Sequence, residues 1–125
     1  MIEHVAIPEE RLRVLRRVRG LNERLKDFLN VDIGVSEDVT IDGDSLQVIR
    51  AKEIIRAFGR GFNFEDCLNL LDDEFFLEVM NIKEFSGKSN KRQSVLKGRL
   101  IGEGGVTKKM IEKSADVKMA IYGKT

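Results

Sequence analysis

Three glycines and two lysines lie within eight positions of one another, in the stretch LIGEGGVTKKMI over residues 100–111. They are Gly102, Gly104, Gly105, Lys108 and Lys109. Because glycine has no Cβ, backbone built from it can approach another molecule closely. The apolar pattern that resumes at Val106 predicts a helix start, whose unpaired N–H groups and dipole favour an anion. With the lysine charges added, the stretch predicts a phosphate-binding turn between two helices.

Other residue types that carry out chemistry do not form a second candidate site. His4 is the single histidine and Cys67 the single cysteine, so one of each makes neither a zinc site nor a Cys/His nucleophile pair. Residues 87–89 (GKS) resemble the end of a P-loop, but that motif needs a glycine where Ile82 stands. The acidic run at 72–74 is interpreted as a solvated turn. We therefore predict no catalytic residue, no metal site and no cofactor, and we expect Cys67 in the core.

Charge is divided unevenly along the chain, although the formal net charge is only +1. Residues 1–84 contain 12 Lys or Arg and 18 Asp or Glu, whereas residues 85–125 contain 10 and 3. The basic residues of the second part alternate with apolar ones at helical spacing, which indicates a folded basic surface. Such a surface suits an anionic partner, and attraction between the two parts of the chain is the alternative.

Length and composition are typical of a globular protein, with 125 residues of which 42% are hydrophobic and 34% charged. This length fits one ordinary domain or two small ones. The sequence contains no apolar run of membrane-spanning length and no signal-peptide pattern at its start. We expect a cytoplasmic protein with no membrane partner.

The apolar pattern of the first half predicts the order strand, helix, helix, strand, strand, helix. The strands are expected over 3–7, 31–35 and 39–41, and the helices from Pro8 to about Val18, over 21–29, and from an N-cap at Ser45 to Phe58. A short helix capped by Asn63 and a strand over 75–82 follow.

A similar pattern then repeats, with helices over 93–101 and 106–113 and a strand over 117–121. Aligned without gaps at an offset of 86, Leu15 falls on Ile101 and Leu25 on Ile111. This register predicts one supersecondary unit used twice. It sets residues 16–19 (RRVR) opposite the glycine-rich turn. The first copy is therefore expected to lack the glycines and not to bind a phosphate through its loop.

A Gly-x-x-Gly loop between two helices, followed by a strand, is the mark of the K-homology (KH) RNA-binding family, which the second copy resembles. The residues that carry the resemblance are Ile101, Gly102, Gly105, Lys108, Ile111 and the strand at 117–121. It implies an α+β fold of tandem type I KH units, a complete βααββα unit and an incomplete βααβ unit. We expect the first unit over 1–72, with a degenerate loop and a linker helix. The second is expected over 73–125, lacking its C-terminal strand and helix.

Nearly the whole chain resembles, more narrowly, the two-unit KH proteins of small-ribosomal-subunit maturation, the partner-of-Nob family in its archaeal type. Residues 54–62 (IIRAFGRGF), 97–102 (KGRLIG) and 121–125 (IYGKT) carry this resemblance. It implies binding to single-stranded RNA near the 3′ end of the small-subunit rRNA. It also implies a Nob-type endonuclease and an initiation factor subunit as protein partners.

A KH unit holds about four nucleotides of single-stranded RNA, and the resemblance implies which residues do so here. The candidates are Lys97, Arg99, Ile101, Gly102, Glu103, Gly104, Gly105, Val106, Thr107, Lys108, Lys109 and Met119. In this interpretation, glycines admit the phosphates and lysines neutralise them. The groove is lined by Ile101, Val106, Ile111 and Met119, and the main chain near Met119 and Ile121 reads base edges. A purely structural turn is the alternative for the loop, and core packing the alternative for the apolar residues.

The sequence therefore predicts a non-catalytic RNA-binding adaptor. The alternative is a protein-interaction scaffold for an endonuclease or initiation factor, without direct RNA contact. If the second unit is incomplete, we expect it to leave apolar surface uncovered and to swap, dimerise or bind a partner.

Overall fold

Short alternating segments in the first half pair into one antiparallel sheet. The computed structural model, which describes residues 1–125, has β1 at Ile2–Val5, β2 at Asp32–Val35 and β3 at Val39–Asp42. The strand order is β1-β3-β2, and Val39 lies opposite both Val5 and Val35. Because side chains alternate across a strand, one face of this sheet carries Val39 and Ile41 into the interior.

Four helices accompany this sheet in a first unit that spans Met1–Leu77. They are α1 (Glu9–Arg16), α2 (Leu21–Leu29), α3 (Ser45–Gly59) and α4 (Phe64–Cys67), and a 3₁₀ turn follows at Leu68–Leu71. Pro8 precedes α1, where its missing N–H costs no hydrogen bond. The predicted cap at Asn63 is confirmed, since its side chain accepts from the Asp66 amide at 2.7 Å. The predicted cap at Ser45 is wrong, because the N-cap of α3 is Asp44.

The core of this unit forms where the apolar faces of α1, α2 and α3 meet the inner face of the sheet. Its fully buried side chains include Leu12, Leu15, Leu25, Val31, Val39, Ile41, Val48, Ile54, Ile55, Phe58 and Cys67. Cys67 lies in the core as predicted, and burial raises the pKa of its thiol to about 12. Long-range packing therefore stabilises the first unit.

The second unit spans Glu78–Thr125 and is built from three helices. They are α5 (Lys83–Ser86), α6 (Asn90–Ile101) and α7 (Val106–Ala115), with a 3₁₀ turn at Glu103–Gly105 between the last two. The hydroxyl of Ser89 caps α6 by accepting from the Arg92 amide at 3.3 Å. Only Ile82, Ser86 and Gln93 are buried in this unit. None of the seven helices of the chain combines the length and apolar character that crossing a membrane requires.

The strands predicted over 75–82 and 117–121 are wrong, since neither segment forms a strand in the structure. A strand needs a neighbouring strand along its length to pair its N–H and C=O groups. These segments make isolated bonds instead: the Ile82 amide donates to the Lys124 carbonyl at 2.7 Å, and the Met119 amide donates to the Glu112 carboxylate at 3.1 Å. The α+β class itself is confirmed by the helices and the three-stranded sheet.

Candidate nucleic-acid interface

The turn between α6 and α7 depends on backbone conformations that favour glycine. Gly102 has φ 73° and ψ 172°, a combination that is essentially restricted to glycine. Gly104 and Gly105 follow with φ of 61° and 78°, in the left-handed region. The Gly102 amide still donates to Gly98 at 2.9 Å, and the Gly105 amide donates to the Gly102 carbonyl at 3.2 Å. The chain thus ends one helix, turns and begins the next within four residues.

The three glycines have different surroundings. A Cβ on Gly102 would stand 2.7 Å from the Thr107 nitrogen and 2.8 Å from its Cβ, closer than real Cβ contacts permit. Around Gly104 and Gly105, a Cβ would meet nothing within 4 Å. Gly102 is therefore required by the packing of the turn itself, whereas Gly104 and Gly105 leave the outer side of the turn open to another molecule.

The start of α7 carries positive charge without an internal counter-charge. No side chain caps α7, and its first turn contains no acidic residue. Its first N–H groups have no partner within the helix, and the helix dipole adds partial positive charge. Lys108 is half-buried, while Lys109 and Arg99 are exposed. Such a helix start favours an anion.

The rest of the second unit does not neutralise these charges. Residues 78–125 contain 11 Lys or Arg and 5 Asp or Glu. None of these lysines and arginines forms an ion pair, since the pairs join residues of the first unit. A side-chain hydrogen bond with Lys83 and repulsion from its charge lower the pKa of Lys124. The surface is therefore electropositive and available to an anion.

The apolar candidates lie beside this turn with much of their surface uncovered. Ile101 is 37% exposed and Val106 57%, while Met119 is half-buried. Met110 is 63% exposed, so the predicted uncovered apolar surface of the second unit is present. These side chains leave apolar surface exposed next to the glycine-rich turn.

Two candidates are already engaged within the chain. The Lys97 ammonium donates to the Gly123 carbonyl at 2.7 Å, so it fixes the turn at 122–125. The Met119 amide, expected to read base edges, donates to the carboxylate of Glu112. Sequence reasoning missed Glu112, because its role depends on the chain returning beside α7 after the left-handed cap at Asp116. Glu103 is exposed and adds one carboxylate to the turn itself.

The loop between α1 and α2 corrects the predicted register of the repeat. Gly20 (φ 64°, ψ 27°) is the N-cap of α2, as Gly105 (φ 78°, ψ 13°) is of α7. Gly20 therefore matches Gly105, and Arg17 matches Gly102, at an offset of 85. At the helix ends the offset returns to 86, because Asn30 and Asp116 are both left-handed C-caps and α7 is one residue longer than α2. The first loop keeps one glycine, so the expectation that it lacks both is wrong.

Comparison with known proteins finds similarity both for the second unit and for nearly the whole chain. Residues 76–125 match the family described as the eukaryotic-type KH domain (KH domain type I), in the form found as the second KH domain of PNO1. A KH domain-containing protein of Methanocaldococcus jannaschii is 35% identical over 99% of this chain. The pre-rRNA-processing protein PNO1 of Saccharomyces cerevisiae is 29% identical over 75% of it. This chain spans 58% of the length of the first relative and 36% of the second.

A solved structure is similar over almost the whole chain. It is the complex of a/eIF2alpha, aDim2p and rRNA from Pyrococcus horikoshii OT3. The likeness has a TM-score of 0.85 and 28% sequence identity, and it covers 99% of this chain and 72% of the other. The match includes the helices on both sides of the glycine-rich turn.

Proposed function

We propose that this chain, which is similar to KH proteins of the PNO1 type, is an adaptor that binds single-stranded rRNA near the 3′ end of the small-subunit RNA. The observation that carries the proposal is the open backbone at Gly104 and Gly105, directly before the uncapped, cation-flanked start of α7. A phosphate there gains N–H donors, the helix dipole and two ammonium groups together.

Each part of the site has a distinct task in this proposal. Gly104 and Gly105 let a phosphate reach the amides of the first turn of α7. Lys108, Lys109 and Arg99 neutralise that phosphate and its neighbours, so affinity falls as salt rises. Ile101, Val106 and Met119 receive bases on an apolar surface, since stacking and apolar contact hold unpaired bases.

The two units divide this work. We assign the first unit, over about 1–72, to a complete KH fold and the second, over about 73–125, to a partial one that carries the glycine-rich loop. The first unit supplies the packed core and an acidic surface, with 11 Lys or Arg and 14 Asp or Glu over residues 1–72. That surface suits protein partners of positive charge.

Partners and setting follow from the relatives. The Pyrococcus horikoshii structure contains a/eIF2alpha beside rRNA, which supports an initiation factor subunit as a protein partner. A Nob-type endonuclease and a cytoplasmic location are further parts of the proposal and rest on the family resemblance. The role is non-catalytic, in keeping with relatives described as RNA-binding or pre-rRNA-processing proteins.

The alternative is a protein-interaction scaffold that does not touch RNA. What favours it is the exposed apolar surface, including Phe76, which is 81% exposed, and Phe85, which is 66% exposed. A loop-specific RNA-binding measurement separates the two roles.

The test compares two double variants that add the same two charges. Gly104→Asp/Gly105→Asp alters the open side of the turn, where a side chain has room. Gly87→Asp/Gly123→Asp is the matched control, because both glycines also have positive φ and open surroundings in the same unit. Binding to a labelled RNA of the 3′ end of small-subunit rRNA is measured by anisotropy over a salt series. We expect the loop variant to bind at least about tenfold more weakly, and the control within about threefold of wild type. Equal binding by wild type and loop variant would refute the proposal.

A further inference from the structure

The first unit engages nearly all of its positive charges internally. Arg13 and Arg16 pair with Glu9, both at 3.8 Å, and Arg11 donates to the carbonyls of Phe58 at 2.9 Å and Phe62 at 2.8 Å. Further ion pairs join Arg24 to Glu65, Lys26 to Asp32, Arg50 to Asp73, Lys52 to Glu3 and Arg56 to Glu53. Arg60 also has a partner.

Two arginines of this unit differ from the others. Arg17 and Arg19 are exposed, and neither makes a hydrogen bond or an ion pair through its side chain. Both lie in the loop between α1 and α2. The free positive charge of an otherwise acidic unit is therefore concentrated in one loop.

This loop is the structural counterpart of the glycine-rich turn. Gly20 and Gly105 hold the same left-handed conformation immediately before their helices. In the register that this sets, Arg17 takes the place of Gly102 and Arg19 takes the place of Gly104. Their backbone cannot approach a ligand as glycine does, because their side chains intervene. A guanidinium group can still reach outward and bind a phosphate through two parallel N–H donors.

We propose that Arg17 and Arg19 form a second phosphate-binding point for single-stranded RNA, made by side chains where the other loop uses backbone. This inference rests on the proposed function, since the ligand is the same RNA. With this site the first unit also binds the RNA, more weakly than the second unit, and is not only a scaffold.

The start of α2 limits the strength of this second point. Glu23 lies in the first turn of α2, where α7 carries Lys108, and its carboxylate stands 3.9 Å from the Cβ position of Gly20. That charge opposes a phosphate at the helix N-terminus. The phosphate is therefore bound by the arginines ahead of the helix, and Glu23→Lys is expected to strengthen its binding.

The experiment removes two positive charges from either of two places in the first unit. Arg17→Ala/Arg19→Ala removes the free arginines, and Arg24→Ala/Arg56→Ala removes two that are ion-paired. The probe is a single-stranded RNA of about 20 nucleotides, several times the footprint of one KH unit. Circular dichroism confirms that each variant is folded.

For the long RNA, we expect the loop variant to lower the slope of log affinity against log salt by about 1.4, at about 0.7 for each phosphate that is no longer neutralised. We expect the ion-paired control to leave the slope unchanged, and Glu23→Lys to raise affinity. An unchanged slope in the loop variant, with wild type still binding RNA, overturns this inference while leaving the proposed function intact. If wild type binds no RNA, both fail. Binding of Arg17 and Arg19 to an acidic protein with no change in RNA binding also overturns the inference.

Discussion

The two units of this chain each contain two helices joined by a short loop, but the helices are packed differently in the two units. In the first unit the helices bury their apolar faces against a sheet, and most cations are paired. In the second, the apolar faces stay largely uncovered and the cations are unpaired. The difference shows that two helices joined by a short loop can serve as a packing element or as a binding surface. Which role they take depends on whether their apolar faces are covered and their cations paired.

Matched positions make this contrast concrete. In the corrected register Leu15 matches Leu100; Leu15 is fully buried, whereas Leu100 is 37% exposed. Toward the ends of α2 and α7, Leu25 is fully buried, whereas Ile111 is half-buried. At the loops, Gly104 stands in the open where Arg19 occupies the first loop. Burial thus shows that the first copy is mainly a packing unit, and exposure of charge and apolar surface supports the proposal that the second copy is the main RNA-binding one.

The largest expected effect comes from truncating matched apolar residues. Leu25→Ala leaves a cavity in a closed core, so we expect it to cost about 2–5 kcal/mol of unfolding free energy. Ile111→Ala removes a half-buried side chain, so we expect a cost of about 1 kcal/mol or less. Urea unfolding, with amide exchange followed separately in each unit, measures both. Similar costs at the two positions would contradict the contrast in packing.

A smaller effect is expected from alanine at two glycines of the same turn. Gly102→Ala and Gly104→Ala both place a Cβ on a residue with positive φ. We expect this to cost about 1–2 kcal/mol of unfolding free energy in each variant. Gly102→Ala also forces its Cβ against the Thr107 backbone, so we expect the greater loss of protection from amide exchange in α7 for this variant. If Gly104→Ala is equally disruptive, the open side of the turn is not open in solution.

The smallest effect is expected at Glu112, whose carboxylate occupies the Met119 amide. Glu112→Ala frees this donor, so we expect the Met119 amide to exchange faster and RNA affinity to rise about two- to fivefold. Glu103→Ala is the control, since it removes an equal charge from the turn without touching Met119. Equal gains from both variants would mean that charge alone, and not the freed amide, matters.

Local patterns predicted much of this molecule. Helical spacing predicts α1, α2 and α3, and the residue type of Asn63 predicts its cap. The positions of the glycines between two helical patterns predict the glycine-rich turn. The alternation of apolar and other residues over 117–121 predicts a strand that does not form. A strand also needs a neighbouring strand to pair with, and the sequence pattern does not reveal whether one is present. The gapless register failed at Gly20 for a similar reason, since the extra residue in α7 is visible only once the helix ends are known. The hydrogen bonds of Lys97 and Glu112 join residues that the chain brings together only after α7, so no local sequence pattern predicts them.

Amide chemical shifts report on RNA binding at each position of the chain in a single titration. We expect single-stranded RNA from the 3′ end of the small-subunit rRNA to move the Gly102–Lys109 amides first and furthest. The Arg17–Gly20 amides should shift less and at higher RNA concentration, while the core amides around Leu25 stay in place. If the largest shifts fall on the first unit, or the Gly102–Lys109 amides do not move, the glycine-rich turn of the second unit is not the RNA-binding site.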